Sequence, residues 1–188
     1  MTATALDLIR SETAPLHARL EERLDIFSHL AEPARRAALM GRFWGFYAPV
    51  EEALAGALGP TPGLDYDARR KAPTLERDLA ALGVYPRDLE RFVAPFIPDQ
   101  AQALGFQYVL EGSTLGGRVI RKQAALRGLA GGGLAFFDVY GADTGARWRT
   151  FLDVLEAHCA GSAVDAARGA RRGFELIEAW LCREVVTA

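Results

Sequence analysis

The sequence predicts an all-α protein built as one domain over residues 1–188, on three observations. Apolar residues recur at helical spacing along most of the chain, no segment shows a convincing strand alternation, and no linker is long enough to divide it. Half of the 188 residues are hydrophobic, which is enough apolar side chain for a single core.

The elements follow in order. Leu6, Ile9, Leu16, Leu20 and Leu24 form one stripe, with Arg10, Arg19, Glu22 and Arg23 turned elsewhere, and predict an amphipathic helix over 6–24. Pro15 lies within it, so the helix either begins near Thr13 or kinks at the proline. Glu32-Pro33 opens a second helix with the stripe Ala37, Met40, Phe43, Trp44 and Tyr47, which Pro49 ends or bends before the stretch 50–58. Residues 59–73, with Pro60, Pro62, Gly63 and Pro73, read as a loop. Thr74 is the expected N-cap of a short helix to Leu82, stopped by Gly83, and Pro86 starts another that ends before Pro95. Pro98-Asp99 begins a long helix to about Arg127, terminated by the run from Gly128 to Gly133. Ala135 to Tyr140 is a short strand or an irregular buried turn. Gly145 to His158 is helical with Trp148, Phe151, Leu152 and Leu155 on one side, and Ser162 with Asp165 resembles a capping box opening a last helix to about Glu184.

Composition narrows the function. A net charge of −2, with 24% charged and 10% aromatic residues, argues against disorder and against a broad nucleic-acid surface. Cys159 and Cys182 form no C-x-x-C pair, and residues 1–10 lack a basic segment followed by an apolar core, so a reducing cytoplasm fits best. The longest nearly uncharged stretch, Gly128 to Tyr140, is too short and glycine-rich for a membrane span of about 20 apolar residues, so a soluble protein is expected.

The most informative segment is patterned as a helix yet carries Gly105, Gly112, Gly116 and Gly117. Four interior glycines cost roughly 4 kcal/mol of helix propensity relative to alanine, so something must compensate. At about 100° per residue Gly112 and Gly116 lie roughly 20° to either side of Gly105, making one bare stripe, while Gly117 allows a bend. Close packing of another helix is the ordinary reading, and a planar ligand on the stripe is the alternative. A phosphate loop is disfavoured, because no strand precedes the glycines and no G-x-G-x-x-G or Walker pattern is present.

Of the three histidines, His29 and His158 lie near helix ends and read as surface or terminal residues. His17 sits beside the apolar stripe of the first helix with Glu21 four residues on, which is an ordinary surface pair or a metal ligand with its orienting carboxylate. One imidazole and a flat bare face suit haem better than zinc, which needs three or four protein ligands.

Thr13 to Glu21, Thr-Ala-Pro-Leu-His-Ala-Arg-Leu-Glu, resembles the proximal helix of the biliverdin-producing haem oxygenases. Tyr108 to Gly117, Tyr-Val-Leu-Glu-Gly-Ser-Thr-Leu-Gly-Gly, resembles their distal helix, particularly in the bacterial branch associated with bacteriophytochromes. Phe136-Phe137, Tyr140-Gly141, Trp148 and Phe151 resemble the family pattern further on, so the similarity covers nearly the whole chain.

The resemblance implies a haem-oxygenase-like helical fold with haem between the helix of His17 and the helix of Gly112 to Gly117. It implies that haem is both substrate and cofactor, opened at a meso carbon to biliverdin with release of iron and carbon monoxide. His17 is then the metal ligand and Glu21 its orienting partner. Gly112, Gly116 and Gly117 let the distal backbone approach the haem plane, and Ser113 with backbone groups holds the water that delivers a proton. Arg10 and Tyr108 match positions that contact the propionates, and Arg149 and Lys122 are weaker candidates for that role against a solvated surface position. Ser113 replaces the aspartate of the mammalian-type distal helix, so the relay group departs from that pattern. With no flavin or nicotinamide fingerprint, an external donor such as ferredoxin is implied, and a bacteriophytochrome is a candidate acceptor of biliverdin. The alternative is a non-catalytic protein of the same fold that binds, stores or transfers haem.

Overall fold

The computed structural model describes residues 4–129 and 131–183, and every regular element among them is helical. Helix α1 (Ala5–Leu24) starts at a reciprocal cap in which the Thr4 hydroxyl accepts from the Asp7 N–H and the Asp7 carboxylate accepts from the Thr4 N–H. It runs through Pro15 rather than starting at Thr13. Pro15 and Ser11 are both exposed, so the Ser11 carbonyl that loses its intrahelical donor faces water. A short helix the sequence did not announce, α2 (Ile26–Ala31), follows a left-handed turn at Asp25.

Helix α3 (Pro33–Leu58) is continuous through Pro49. The proline deprives the Gly45 carbonyl of its intrahelical donor, and the Phe92 N–H takes that place at 2.8 Å. This bond also explains a correction. The helix expected between Pro86 and Pro95 is only a 3₁₀ turn at Pro86–Asp88, and the chain from 89 to 98 lies without regular structure against α3.

Helix α4 (Ala72–Ala81) begins two residues before Thr74, so the expected Thr74 cap is not formed. The Glu51 carboxylate instead accepts from the N–H groups of Lys71 and Ala72 at 2.6 and 3.1 Å. Helix α5 (Gln100–Leu126) is capped by Asp99, whose carboxylate accepts from the Gln102 N–H at 2.8 Å. Ala135–Asp138 is a buried 3₁₀ turn rather than a strand, tied down by the Asp78 carboxylate through the N–H groups of Ala135 and Phe136. Helices α6 (Thr144–Cys159) and α7 (Ala163–Leu181) complete the described chain. Ser162 makes no side-chain cap to α7, since Asp165 turns to Arg168, and Glu184 lies outside the described residues.

Helix α7 is the shared partner of α1 and α5, which make little contact with each other. It meets α5 backbone to backbone: a Cβ at Gly105 would overlap the Ala166 carbonyl, and one at Gly169 the Gln102 carbonyl. It meets α1 through side chains, with Glu178 accepting from Arg19 at 2.6–2.9 Å and from Arg23 at 2.7 Å.

Candidate functional site

The predicted residues lie mainly on α1 and α5, which share α7 as a partner and make little contact with each other. On α1 the His17 side chain is 56% exposed, and its ring stands edge-on to Phe174 of α7 with centroids 5.7 Å apart. Its Nδ1 lies 3.6 Å from Glu21 Oε2, close enough for a charge interaction and slightly long for a hydrogen bond. The orientation leaves Nε2 as the nitrogen turned from Glu21.

Phe174 links the two helices. Its neighbour Gly173 abuts α5, where a Cβ would come within 2.9 Å of Val109 and 3.4 Å of Phe106. Gly112 and Ser113 lie one turn beyond Val109 on α5. Here the four glycines divide into two kinds. Gly105 is covered by α7, and a Cβ at Gly117 would sit 2.7 Å from the Phe137 carbonyl oxygen, so both serve close packing. A Cβ at Gly116 would meet nothing within 4 Å, and one at Gly112 would first reach Trp148 at 3.7 Å. The bare face is therefore Gly112 and Gly116, with Ser113 beside them.

The Ser113 hydroxyl donates to the Leu110 carbonyl at 2.8 Å and lies 3.0 Å from the Tyr47 hydroxyl. A hydroxyl has one proton, so Tyr47 donates to Ser113 and Ser113 to Leu110. Burial pushes the fully buried Tyr47 phenol well above its ordinary range, which keeps it a neutral donor. The sequence stripe placed Tyr47 in the core, but nothing in its spacing indicated that its oxygen reaches Ser113.

Tyr108 packs against Trp148 with centroids 5.3 Å apart, beside Gly112. Arg10 is exposed two turns before His17 and has no ion-pair partner among the described residues, and Arg149 and Lys122 are likewise exposed and unpaired among them. Arg149 borders a shallow depression on α6 with Ala146, Thr150, Leu152 and Asp153, which includes neither His17 nor the glycines.

Sequence reasoning also missed a buried charge cluster behind α5. Glu111 accepts from Arg69 at 2.7 Å, Lys71 at 2.7 Å, Tyr140 at 2.8 Å and Gln107 at 3.3 Å. Burial raises the Glu111 carboxyl, and Lys71 and Arg69 more than reverse this, holding it below its usual range. A charged residue beside the glycines was visible, but its cationic partners Arg69 and Lys71 lie 42 and 40 positions away in the chain.

The donor set limits what can be bound. Among the described residues no group of three or more His, Cys, Asp or Glu side chains could hold a metal ion, so His17 can serve only an iron that brings its other ligands. Haem does so, and the chemistry of the residues fits it: one half-exposed imidazole edge-on to Phe174, and on α5 an open surface without Cβ atoms at Gly112 and Gly116.

The comparisons agree with this chemistry. A family model described as heme oxygenase matches residues 3–183. The heme oxygenase of Xanthomonas campestris pv. campestris (strain 8004) is 35% identical over 152 residues, covering 79% of this chain and 89% of that protein. The crystal structure of the NO- and CO-bound heme oxygenase from Neisseria meningitidis superimposes with a TM-score of 0.77 at 20% identity, covering 96% of this chain and 91% of that one.

Proposed function

The chain belongs to the heme oxygenase family and is a haem-degrading monooxygenase, and on that premise we propose that His17 is the iron's axial ligand and the face of Gly112, Ser113 and Gly116 its distal wall. The reaction is oxidative cleavage of haem to biliverdin, iron and carbon monoxide, using oxygen and an external electron donor. When bound, haem supplies the redox-active iron and is itself the molecule cleaved.

The observation that carries the residue assignment is the continuity through α7: Phe174 touches His17, and Gly173 touches α5 one turn before Gly112. Glu21 restrains the imidazole through Nδ1, so that Nε2 faces the metal. Gly112 and Gly116 let the α5 backbone approach a flat ligand, and Gly117 lets that helix lie against Phe137. Ser113, whose oxygen accepts from Tyr47 and whose proton is held by the Leu110 carbonyl, stands at the distal wall in the place of a carboxylate and would help hold the water that delivers a proton. Arg10, Tyr108 and Arg149 are assigned to the propionate edge, where an arginine fork suits a carboxylate.

The reading extends to one domain over residues 1–188, a cytoplasmic location, a ferredoxin-type donor and a bacteriophytochrome as acceptor of biliverdin in the manner of the bacterial branch. Among the described residues no helix is long and apolar enough to cross a membrane. The test mixes the purified protein with haem and a reductant in air. Conversion of the Soret band to a green biliverdin spectrum is expected, and His17→Ala should shift the haem spectrum and abolish turnover until imidazole is added. An unchanged spectrum in His17→Ala would remove His17 from the site, and a persistent haem spectrum in the parent would favour storage over cleavage.

A further inference from the structure

We propose that Glu111 is a positioning residue for the distal wall: its buried carboxylate, held by Arg69, Lys71 and Tyr140, fixes the rotation of α5 so that the face of Gly112, Ser113 and Gly116 is turned to haem. The proposal rests on the assignment of that face as the distal wall.

Glu111 and Gly116 are five residues apart, roughly 140° around the helix, so the carboxylate anchors the side turned from the bare face. Something must anchor it there. Between the packed Gly105 and Gly117, the open Gly112 and Gly116 offer no side chain to set the phase of α5, and the hydroxyls of Ser113 and Thr114 bond back to the carbonyls of Leu110 and Glu111 at 2.8 and 2.7 Å. Such back-bonding loosens and bends helices. The stretch of α5 with the fewest side-chain contacts of its own is thus the part that needs a fixed orientation.

The clamp comes from segments outside α1 and α5. Arg69 and Lys71 close the long loop after α3, Tyr140 precedes α6, and the side chains of Arg69, Lys71 and Glu111 are 4%, 0% and 1% exposed. Glu51 of α3 fixes Lys71 from the other side by accepting from its N–H at 2.6 Å. A carboxylate held by three donors from two segments outside α5 has one low-energy orientation, whereas an apolar side chain of the same volume could slide. Buried ion clusters are weak sources of stability but well suited to fixing register.

The experiment uses Glu111→Gln, which keeps the shape and removes the charge, and Tyr140→Phe, which removes one hydrogen bond and no charge. Amide hydrogen exchange is followed in the haem-free full chain, and the infrared stretch of carbon monoxide is recorded on the reduced haem complex. Exchange across residues 108–120 should rise at least ten-fold in Glu111→Gln, while residues 163–175 keep the parent rates. The carbon monoxide band should shift and broaden while the His17-dependent haem spectrum is retained. Tyr140→Phe should move both readouts the same way by less. If Glu111→Gln does not fold, Tyr140→Phe and Lys71→Met decide by the same measurements. Uniformly faster exchange over all helices with an unaltered carbon monoxide band would reduce Glu111 to a stability residue and overturn the proposal. Failure of the His17 assignment would show separately, as a parent haem spectrum that His17→Ala leaves unchanged.

Discussion

A serine in the place of a carboxylate must be held in orientation to order a water, and the fully buried Tyr47 hydroxyl 3.0 Å from Ser113 is placed to hold it by donating a hydrogen bond. Tyr47→Phe removes that donor while leaving the ring contacts with Phe43 and Phe136 in place. The rate of biliverdin formation is expected to fall by about 10²-fold, the lower end of what positioned proton transfer contributes, with the haem dissociation constant unchanged. Single-turnover spectra and haem titration read the two quantities separately, and equal loss in both would make Tyr47 a packing residue only. At this scale His17, Glu21 and Ser113 could be proposed from the sequence because each lies in a local motif. Tyr47, Phe174 and Glu111 could not, since their roles depend on contacts between distant segments that no spacing encodes.

Along an element, the same residue type has opposite sensitivities at two positions. A methyl at Gly105 must displace the Ala166 carbonyl, and overpacking of this kind costs about 1–3 kcal/mol. A methyl at Gly116 meets nothing and should raise haem-free stability by up to about 1 kcal/mol through helix propensity. Gly116→Ala should nonetheless bind haem more weakly than the parent, because its added methyl occupies the distal wall. Melting curves and haem titration of Gly105→Ala and Gly116→Ala check both signs, and a Gly116→Ala protein with undiminished affinity would take that face away from haem. Periodicity correctly showed that Gly105, Gly112 and Gly116 share one helical face, but where α7 stops covering that face is a property of the pair. Similarly, Pro49 looked like a helix end until Phe92 supplied the missing donor.

For the whole molecule, Glu178 joins α1 to α7. Hydrogen bonding from Arg19, added to by Arg23, holds its carboxyl below the usual range. A lowered folded pKa contributes stability that is fully present above the unfolded value of about 4.3 and lost as pH falls through the folded one. Glu111 acts in the same direction and Glu51, raised by burial, in the opposite one. The parent's melting temperature should therefore fall as pH drops below about 4, and that of Glu178→Gln should start lower at pH 7 and fall less steeply. Melts between pH 7 and pH 3 test this, and parallel curves would remove Glu178 as the acid-sensitive link. The all-α class and most helix boundaries were readable from periodicity and from proline and glycine positions, the Thr74 and Ser162 caps having failed, whereas the arrangement of α1 and α5 on a common α7 required the folded chain.

That arrangement is mechanically lopsided. The α5 joint is backbone against backbone, where no rotamer can yield, while the α1 joint is made by side chains, the buried Ala5 and Ile9 in the core and Arg19 and Arg23 on Glu178. A backbone joint has no side-chain freedom to absorb a load and a side-chain joint has some, so strain placed between α1 and α5 falls first on the α1 side.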